Sequence, residues 1–129
     1  MYKIKILVLG ITSNIGYKLF KEYSDKFDIY GTYRNLPSEI NKLDRLIKTC
    51  ELSKKELSEI ISKIKPDVVI NCIALGNLDD CEINKENCKS LNFDIVKNLV
   101  DILKNLNIKL VHFSSNAIYD GKNAPYDEN

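Results

Sequence analysis

Tryptophan is absent from the 129 residues, and histidine and methionine occur once each. The four cysteines, Cys50, Cys72, Cys81 and Cys88, contain no C-x-x-C pair, and His112 has no second histidine to work with. Neither a zinc site nor a disulfide framework is expected, and the thiols read as small residues of a protein in a reducing, cytoplasmic setting. An excess of one charge is also missing: nineteen Lys and Arg stand against eighteen Asp and Glu, a formal +1. That balance removes the general case for a nucleic-acid-binding face. No apolar run exceeds the length of a strand, so no membrane span is expected. The amino terminus has no small-residue cleavage site after a long apolar stretch and reads as a first strand, not a signal peptide.

What is present is 44% apolar content. A chain of this size buries roughly two-thirds of its unfolded surface, enough for one domain with a core of its own. Strand-like and helix-like stretches alternate without internal repeat or low-complexity segment. Ile4 to Leu9 is a near-continuous apolar run, as in a strand buried on both faces. Asn14 to Tyr23 carries Ile15, Leu19, Phe20 and Tyr23 at helical spacing, and Phe27 to Tyr33 reads as a second strand. Leu36 to Arg45 is ambiguous between loop and short helix, and Leu46 to Cys50 fits a short third strand. Ser53 with Glu56 forms a capping-box pattern before Leu57, Ile60, Ile61 and Ile64, and Pro66 closes that helix. Val68 to Ile70 is a fourth strand, and Gly76 to Asp80 reads as loop. One long helix is expected over Asn84 to Leu106, a fifth strand over Ile108 to Phe113, and polar loop from Ser114 to Asn129. This alternation specifies an α/β fold with right-handed crossovers and a parallel sheet covered on both sides.

In such a sheet, ligands bind beyond the carboxyl ends of the strands. Three segments should meet there: Gly10 to Gly16, Asn71 to Leu78 and Ser114 to Tyr119. In Gly10-Ile11-Thr12-Ser13-Asn14-Ile15-Gly16, Gly10 permits a tight turn and Gly16 lets the helix approach the strand. The helix start then offers free amides and a positive dipole end to a pyrophosphate. Ser13 stands where the full dinucleotide fingerprint has a third glycine; its hydroxyl can itself donate to an oxygen. No acid lies between Ile29 and Ser38, whereas Arg34 stands just past the second strand. A carboxylate there would suit a ribose, and an arginine suits a 2′-phosphate, so NADP is favoured over NAD. Asp79, Asp80 and Glu82 read as a solvated acidic cluster, with no metal assigned.

Gly10 to Gly16, Pro66-Asp67-Val68-Val69-Ile70-Asn71-Cys72-Ile73-Ala74, Leu78-Asp79-Asp80-Cys81-Glu82, Leu91-Asn92, Ser114-Ser115-Asn116-Ala117-Ile118-Tyr119-Asp120-Gly121 and Pro125-Tyr126-Asp127-Glu128 follow one another in order. Together they resemble the amino-terminal half of the extended short-chain dehydrogenase/reductases, nearest to the dTDP-4-dehydrorhamnose reductases and their sugar-nucleotide-reductase kin. The resemblance covers almost the whole chain. It implies a Rossmann-like doubly wound sheet of about five strands in the order 3-2-1-4-5, forming an NAD(P)-binding domain over residues 1–129. It also implies that Thr12, Ser13, Asn14 and Ile15 belong to the pyrophosphate turn. Glu51 (in place of the usual aspartate) and Leu52 would contact the adenine region. Ala74, Leu75 and Gly76 would line the nicotinamide ribose, and Leu78 and Asn116 would touch a nucleotide-sugar substrate. Ser115 would be the catalytic hydroxyl.

The family donates its proton from a tyrosine in a Tyr-x-x-x-Lys helix after the fifth strand. Here Tyr119 is followed four positions on by Asn123, and Tyr17 with Lys21 lies on the first helix instead. The catalytic helix and the substrate-binding region are therefore expected to be missing from these residues, which alone should not form a competent reductase. The alternative is a non-catalytic nucleotide-binding module resembling the regulatory subunit of methionine adenosyltransferase. A receiver domain would need acids after strand one, a methyltransferase an acid ending strand two, and an NTPase a Walker lysine; none is present. Apolar surface left bare on the helix Asn84 to Leu106 is expected to favour self-association.

Overall fold

Five parallel strands in the order β3-β2-β1-β4-β5 make up the sheet of the computed structural model, which describes residues 1–37, 40, 44–115 and 118–127. They are β1 (Lys5–Leu9), β2 (Asp28–Tyr33), β3 (Leu46–Lys48), β4 (Val68–Asn71) and β5 (Lys109–His112). Helix α1 (Asn14–Tyr23) joins β1 to β2, and α2 (Lys54–Ile64) joins β3 to β4. The order reverses between β1, which pairs with β2, and β4, which pairs with β1 on its other side. This is the α/β parallel sheet expected from the alternation, in the Rossmann-like strand order that the resemblance implies. The ambiguous segment Leu36 to Arg45 falls partly outside the described residues.

Period-two alternation in β1 divides its side chains between two cores. Leu7 and Leu9 face α2 and the carboxyl-terminal helix, with Val69, Leu57, Ile61, Ile95 and Leu99 in the same cluster. Val8 faces the other side with Ile11 and Ile29, where Phe20 of α1 covers it. The second layer is the thinner one. Ile6, Val8, Leu19, Tyr23, Phe27, Ile29 and Ile70 line an apolar hollow of about 290 Å³ beside α1.

Capping fixes where α2 begins. Ser53 Oγ accepts from Glu56 N at 3.2 Å, and the Glu56 carboxylate reaches back to Leu52 N at 2.8 Å and Cys50 N at 3.1 Å. At the other end Lys65 takes a left-handed conformation (φ 52°) and donates its N–H to Ile61 O, before Pro66.

The long helix expected over Asn84 to Leu106 runs without interruption from Lys85 to Leu103, with α4 (Lys85–Lys89) and α5 (Ile95–Leu103) joined through a π turn (Ser90–Asp94). The loop expected over Gly76 to Asp80 is corrected, because a further helix α3 (Leu78–Ile83) starts within it. Asn77 caps α3, its Oδ1 accepting from Asp79 N at 2.9 Å and Asp80 N at 3.2 Å. Asn84 then separates the helices and caps α4 through Asn87 N at 3.0 Å. Asn residues favour such caps over helix interiors because their side chains compete for backbone amides. Ile95, Leu99 and Leu103 of α5 are buried against α2 and the sheet, while Phe93, Val100 and Leu106 of the segment 84–106 remain exposed.

The cysteines bring a second correction. Cys81 of α3 and Cys88 of α4 are joined as a disulfide, their Cα atoms 5.0 Å apart. A spacing of seven residues gave no sign of it, because only the turn at Asn84 folds α3 back toward α4. Cys50 and Cys72 are free thiols.

Candidate functional site

The turn after β1 is held closed from three directions. Gly10 sits at φ 80° and donates its N–H to Thr32 Oγ1 at 3.1 Å, while Ile11 N bonds Thr32 O at 2.9 Å. Ser13 N returns to Gly10 O at 3.0 Å, and Ser13 Oγ caps α1 by accepting from Gly16 N at 3.0 Å. A Cβ on Gly16 would lie 2.4 Å from Gly10 O, so the helix could not approach the turn with any larger residue there. Gly31 does the same for Ile11, whose Cβ would stand 2.7 Å from a side chain at that position. The chain thus reverses tightly, and the first amides of α1 stand at the end of β1.

Beyond this turn lies a cavity of about 230 Å³ walled by Gly10, Thr12, Thr32, Tyr33, Arg34, Thr49, Cys50, Leu52, Ile73 and Leu91. It spans from the β1 and β4 tips to the ends of β2 and β3. A second cavity, of about 360 Å³, shares Arg34, Leu52 and Leu91 with it and continues over Glu51, Ser53, Asn87, Ser90, Asp94, Ile95 and Asn98. The π turn supplies Ser90, Leu91 and Asp94 to this wall. Leu52 reaches both cavities from a left-handed backbone (φ 52°) that the Glu56 carboxylate stabilises through Leu52 N. Among the described residues lining the larger cavity, Arg34 is a cation facing the carboxylates Glu51 and Asp94. Such a wall suits a ligand with both a phosphate and hydroxyl or amino donors.

Two side-chain amides fix the β4 end of the crevice. Asn71 is buried; its Nδ2 lies 3.3 Å from His112 Nδ1, and its Oδ1 accepts from Ile73 N at 3.1 Å. Asn92, in the π turn, grips the peptide of Leu75 on both sides. Leu75 N donates to Asn92 Oδ1 at 2.8 Å, and Asn92 Nδ2 donates to Leu75 O at 3.0 Å. The half-buried Cys72 thiol stands beside Ser13; burial pushes its pKa up, and a hydrogen bond with Ser13 works against that shift.

Of the residues expected at the site, Gly10, Thr12, Arg34, Glu51 and Leu52 are brought together around the two cavities. Ser13 and Gly16 shape the turn behind them. Asn14 and Ile15 contribute the first backbone amides of α1, but their side chains line a separate hollow on its outer surface with Lys18 and Glu22. Ala74, Leu75 and Gly76 follow Ile73 on the rim, with Leu75 held by Asn92. Ser115 lies three residues beyond β5, and Leu78 is 77% exposed on α3; neither lines either cavity. Asn116 lies outside the described residues. Thr32, Thr49, Asn87, Ser90, Asp94 and Asn98 were not anticipated. Thr32 and Thr49 carried a detectable signal, polar residues within or just after an apolar strand; the others depend on the π turn.

The RmlD substrate-binding-domain family matches residues 4–129. The chain belongs to that family. A dTDP-4-dehydrorhamnose reductase of Aggregatibacter actinomycetemcomitans is 28% identical over 125 residues, covering 96% of this chain and 39% of that protein. Methionine adenosyltransferase 2 subunit beta of Bos taurus is 25% identical over 126 residues, covering 96% of this chain and 36% of that protein. Among solved structures, a hypothetical dTDP-4-dehydrorhamnose reductase from Sulfolobus tokodaii superposes with a TM-score of 0.82 at 27% identity, over 97% of this chain and 44% of that one. The chain thus spans less than half the length of the proteins it matches. Chains of the same fold at 19% identity have been solved with NADP and with NAD+. In this RmlD-family chain, no helix among the described residues is long and apolar enough to cross a membrane.

Proposed function

We propose that residues 1–129 form the NADP-binding portion of a cytoplasmic sugar-nucleotide reductase, with a 4-keto sugar nucleotide as the substrate class. The observation that carries this reading is the tight Gly10–Gly16 turn opening onto a cavity that also holds Arg34. The amides of Asn14 and Ile15 would take the diphosphate, and Arg34 the 2′-phosphate. Glu51, Asp94 and Asn98 offer acceptors to the adenosine end. Ala74, Leu75 and Gly76 would flank the nicotinamide ribose, with Asn92 holding Leu75 in place. When bound, the dihydronicotinamide would supply the hydride; the residues here hold and orient it. Ser115 would stand by the carbonyl and steady its oxygen. Cofactor binding is the activity proposed for these residues.

Titration of the purified chain with NADPH, NADH or buffer, read as thermal shift, tests this. Stabilisation should be larger with NADPH than with NADH at equal concentration, since a ligand stabilises only the state it binds. No shift with either nucleotide would sink the proposal.

A second reading, a non-catalytic nucleotide-binding module, draws support from the likeness to methionine adenosyltransferase 2 subunit beta. A reductase-length polypeptide containing these residues separates the two: NADPH oxidation with a dTDP-4-keto sugar favours the enzyme, binding without oxidation the module. Self-association belongs to either reading, through the exposed Phe93, Val100 and Leu106 of the segment 84–106.

A further inference from the structure

The disulfide is not used by the nucleotide reading, yet it lies against the loop on which that reading depends. Asn92 Nδ2, which donates to Leu75 O, also lies 3.3 Å from Cys88 Sγ and 3.9 Å from Cys81 Sγ. Cys81 Sγ is itself 3.7 Å from Leu75 O. The sulfur pair, the Asn92 carboxamide and the Leu75 peptide therefore form one contiguous cluster on the rim of the crevice.

Its mechanical setting gives the cluster a role. The stretch from Ala74 to Asn77 leaves β4 at one end and enters α3 at the other. Helix α3 has no buried residue, and Leu78 and Ile83 on it are 77% and 84% exposed, so packing does little to hold it. Besides the backbone through Asn84, it is tied to α4 by the Cys81–Cys88 bond. Both cysteines are half-buried and Asn92 is exposed, which leaves the bridge within reach of a small thiol.

We infer that Cys81 and Cys88 form a redox-reversible brace that sets the order of the Ala74–Gly76 loop and, given the nucleotide reading above, the affinity of the crevice for NADPH. A dithiol reductant breaks the sulfur–sulfur bond by delivering two electrons and two protons. Cys81 and Cys88 become thiols, and the reductant closes to its own cyclic disulfide. Released from α4, α3 can move away, and Leu75 loses the fixed approach that lets Asn92 span its peptide. Oxidation by a disulfide such as glutathione disulfide restores the brace.

The test uses the chain as it stands, oxidised with glutathione disulfide or reduced with dithiothreitol, beside Cys81→Ser/Cys88→Ser. Mass spectrometry after alkylation should show Cys81 and Cys88 protected in the oxidised form and labelled in the reduced one. Without nucleotide, amide hydrogen exchange over residues 73–78 should be slower in the oxidised form by roughly threefold or more. NADPH should bind that form roughly three- to tenfold more tightly. The double variant should behave like the reduced chain and ignore dithiothreitol. Identical exchange and affinity in both redox forms, or failure of Cys81 to pair with Cys88, would overturn the inference. Exchange that responds to redox state while neither form binds NADPH would uphold the brace and sink the nucleotide reading instead.

Discussion

Asn92 and Leu75, seventeen positions apart, form a closed amide–peptide pair: one side chain both donates to and accepts from a single residue's backbone, at 3.0 and 2.8 Å. The π turn that carries Asn92 joins the wall of the larger cavity to the rim loop of the crevice. Replacing Asn92 by Ala removes two hydrogen bonds at an exposed position, where each contributes about 1 kcal/mol. Stability should fall by about 2 kcal/mol at most, and NADPH affinity should fall by about tenfold. Isothermal titration checks the affinity and calorimetry the stability; equal affinity in Asn92→Ala and the parent chain would remove the loop from the binding site.

Gly16→Ala tests the turn itself. The added methyl would lie 2.4 Å from Gly10 O, and all three of its nearest atoms belong to backbone or a short side chain. Helix α1 must shift outward, at a cost of about 1–3 kcal/mol. The expected result is a clear drop in melting temperature together with loss of nucleotide stabilisation. Full binding by Gly16→Ala would mean that the diphosphate is held elsewhere.

Arg34 reports cofactor preference. Arg34→Ala should weaken NADPH binding by about tenfold or more and leave NADH binding within about twofold, because only NADPH carries the 2′-phosphate. Parallel loss of both nucleotides would assign Arg34 to the shared adenosine instead. The exposed guanidinium makes misfolding an unattractive explanation of either result.

Asp67 predicts an acid limb in stability. Its carboxylate accepts from Lys5 N at 2.7 Å and from the Tyr2 hydroxyl at 2.7 Å, and the Lys5 amide first, then Tyr2, hold its pKa below the ordinary carboxylate value. A depressed folded-state pKa stabilises the fold above the unfolded value of about 3.9, and that contribution is lost as pH falls below it. Asp67→Asn should flatten this part of the stability–pH curve while lowering stability at neutral pH. Denaturant unfolding between about pH 7 and pH 3 checks the sign.

Leu99 is fully buried between α2 and the sheet. Leu99→Ala should cost about 2–5 kcal/mol through lost burial and a residual cavity. Chemical denaturation measures it, and a loss below about 1 kcal/mol would mean that α5 packs less closely than the contacts indicate.

Much of this was legible in the chain itself. The apolar run at β1, the cap at Ser53 and Glu56, and the helix-stop at Lys65 and Pro66 are local signals, and each appears where the pattern put it. The Gly10–Gly16 turn was legible for the same reason, since a tight turn and a close helix approach impose their requirements within seven consecutive residues. The start of the long helix at Asn84 was legible too, but α3, the π turn and the disulfide were not: helical periodicity continues through Cys88, Leu91 and Ile95, so the apolar pattern gave no warning of them.

Alternation, capping and turn chemistry, all written in neighbouring residues, determined the α/β class, the five strands and the tight Gly10–Gly16 turn. The three-dimensional fold alone decided which distant groups meet. Arg34, Glu51 and Asp94 come to one cavity, Asn92 reaches Leu75 from the π turn, and Cys81 finds Cys88 because the turn at Asn84 folds α3 back toward α4. Local periodicity records which face of an element is apolar; it does not record the one-residue changes in helical winding that rotate a side chain from solvent into a site.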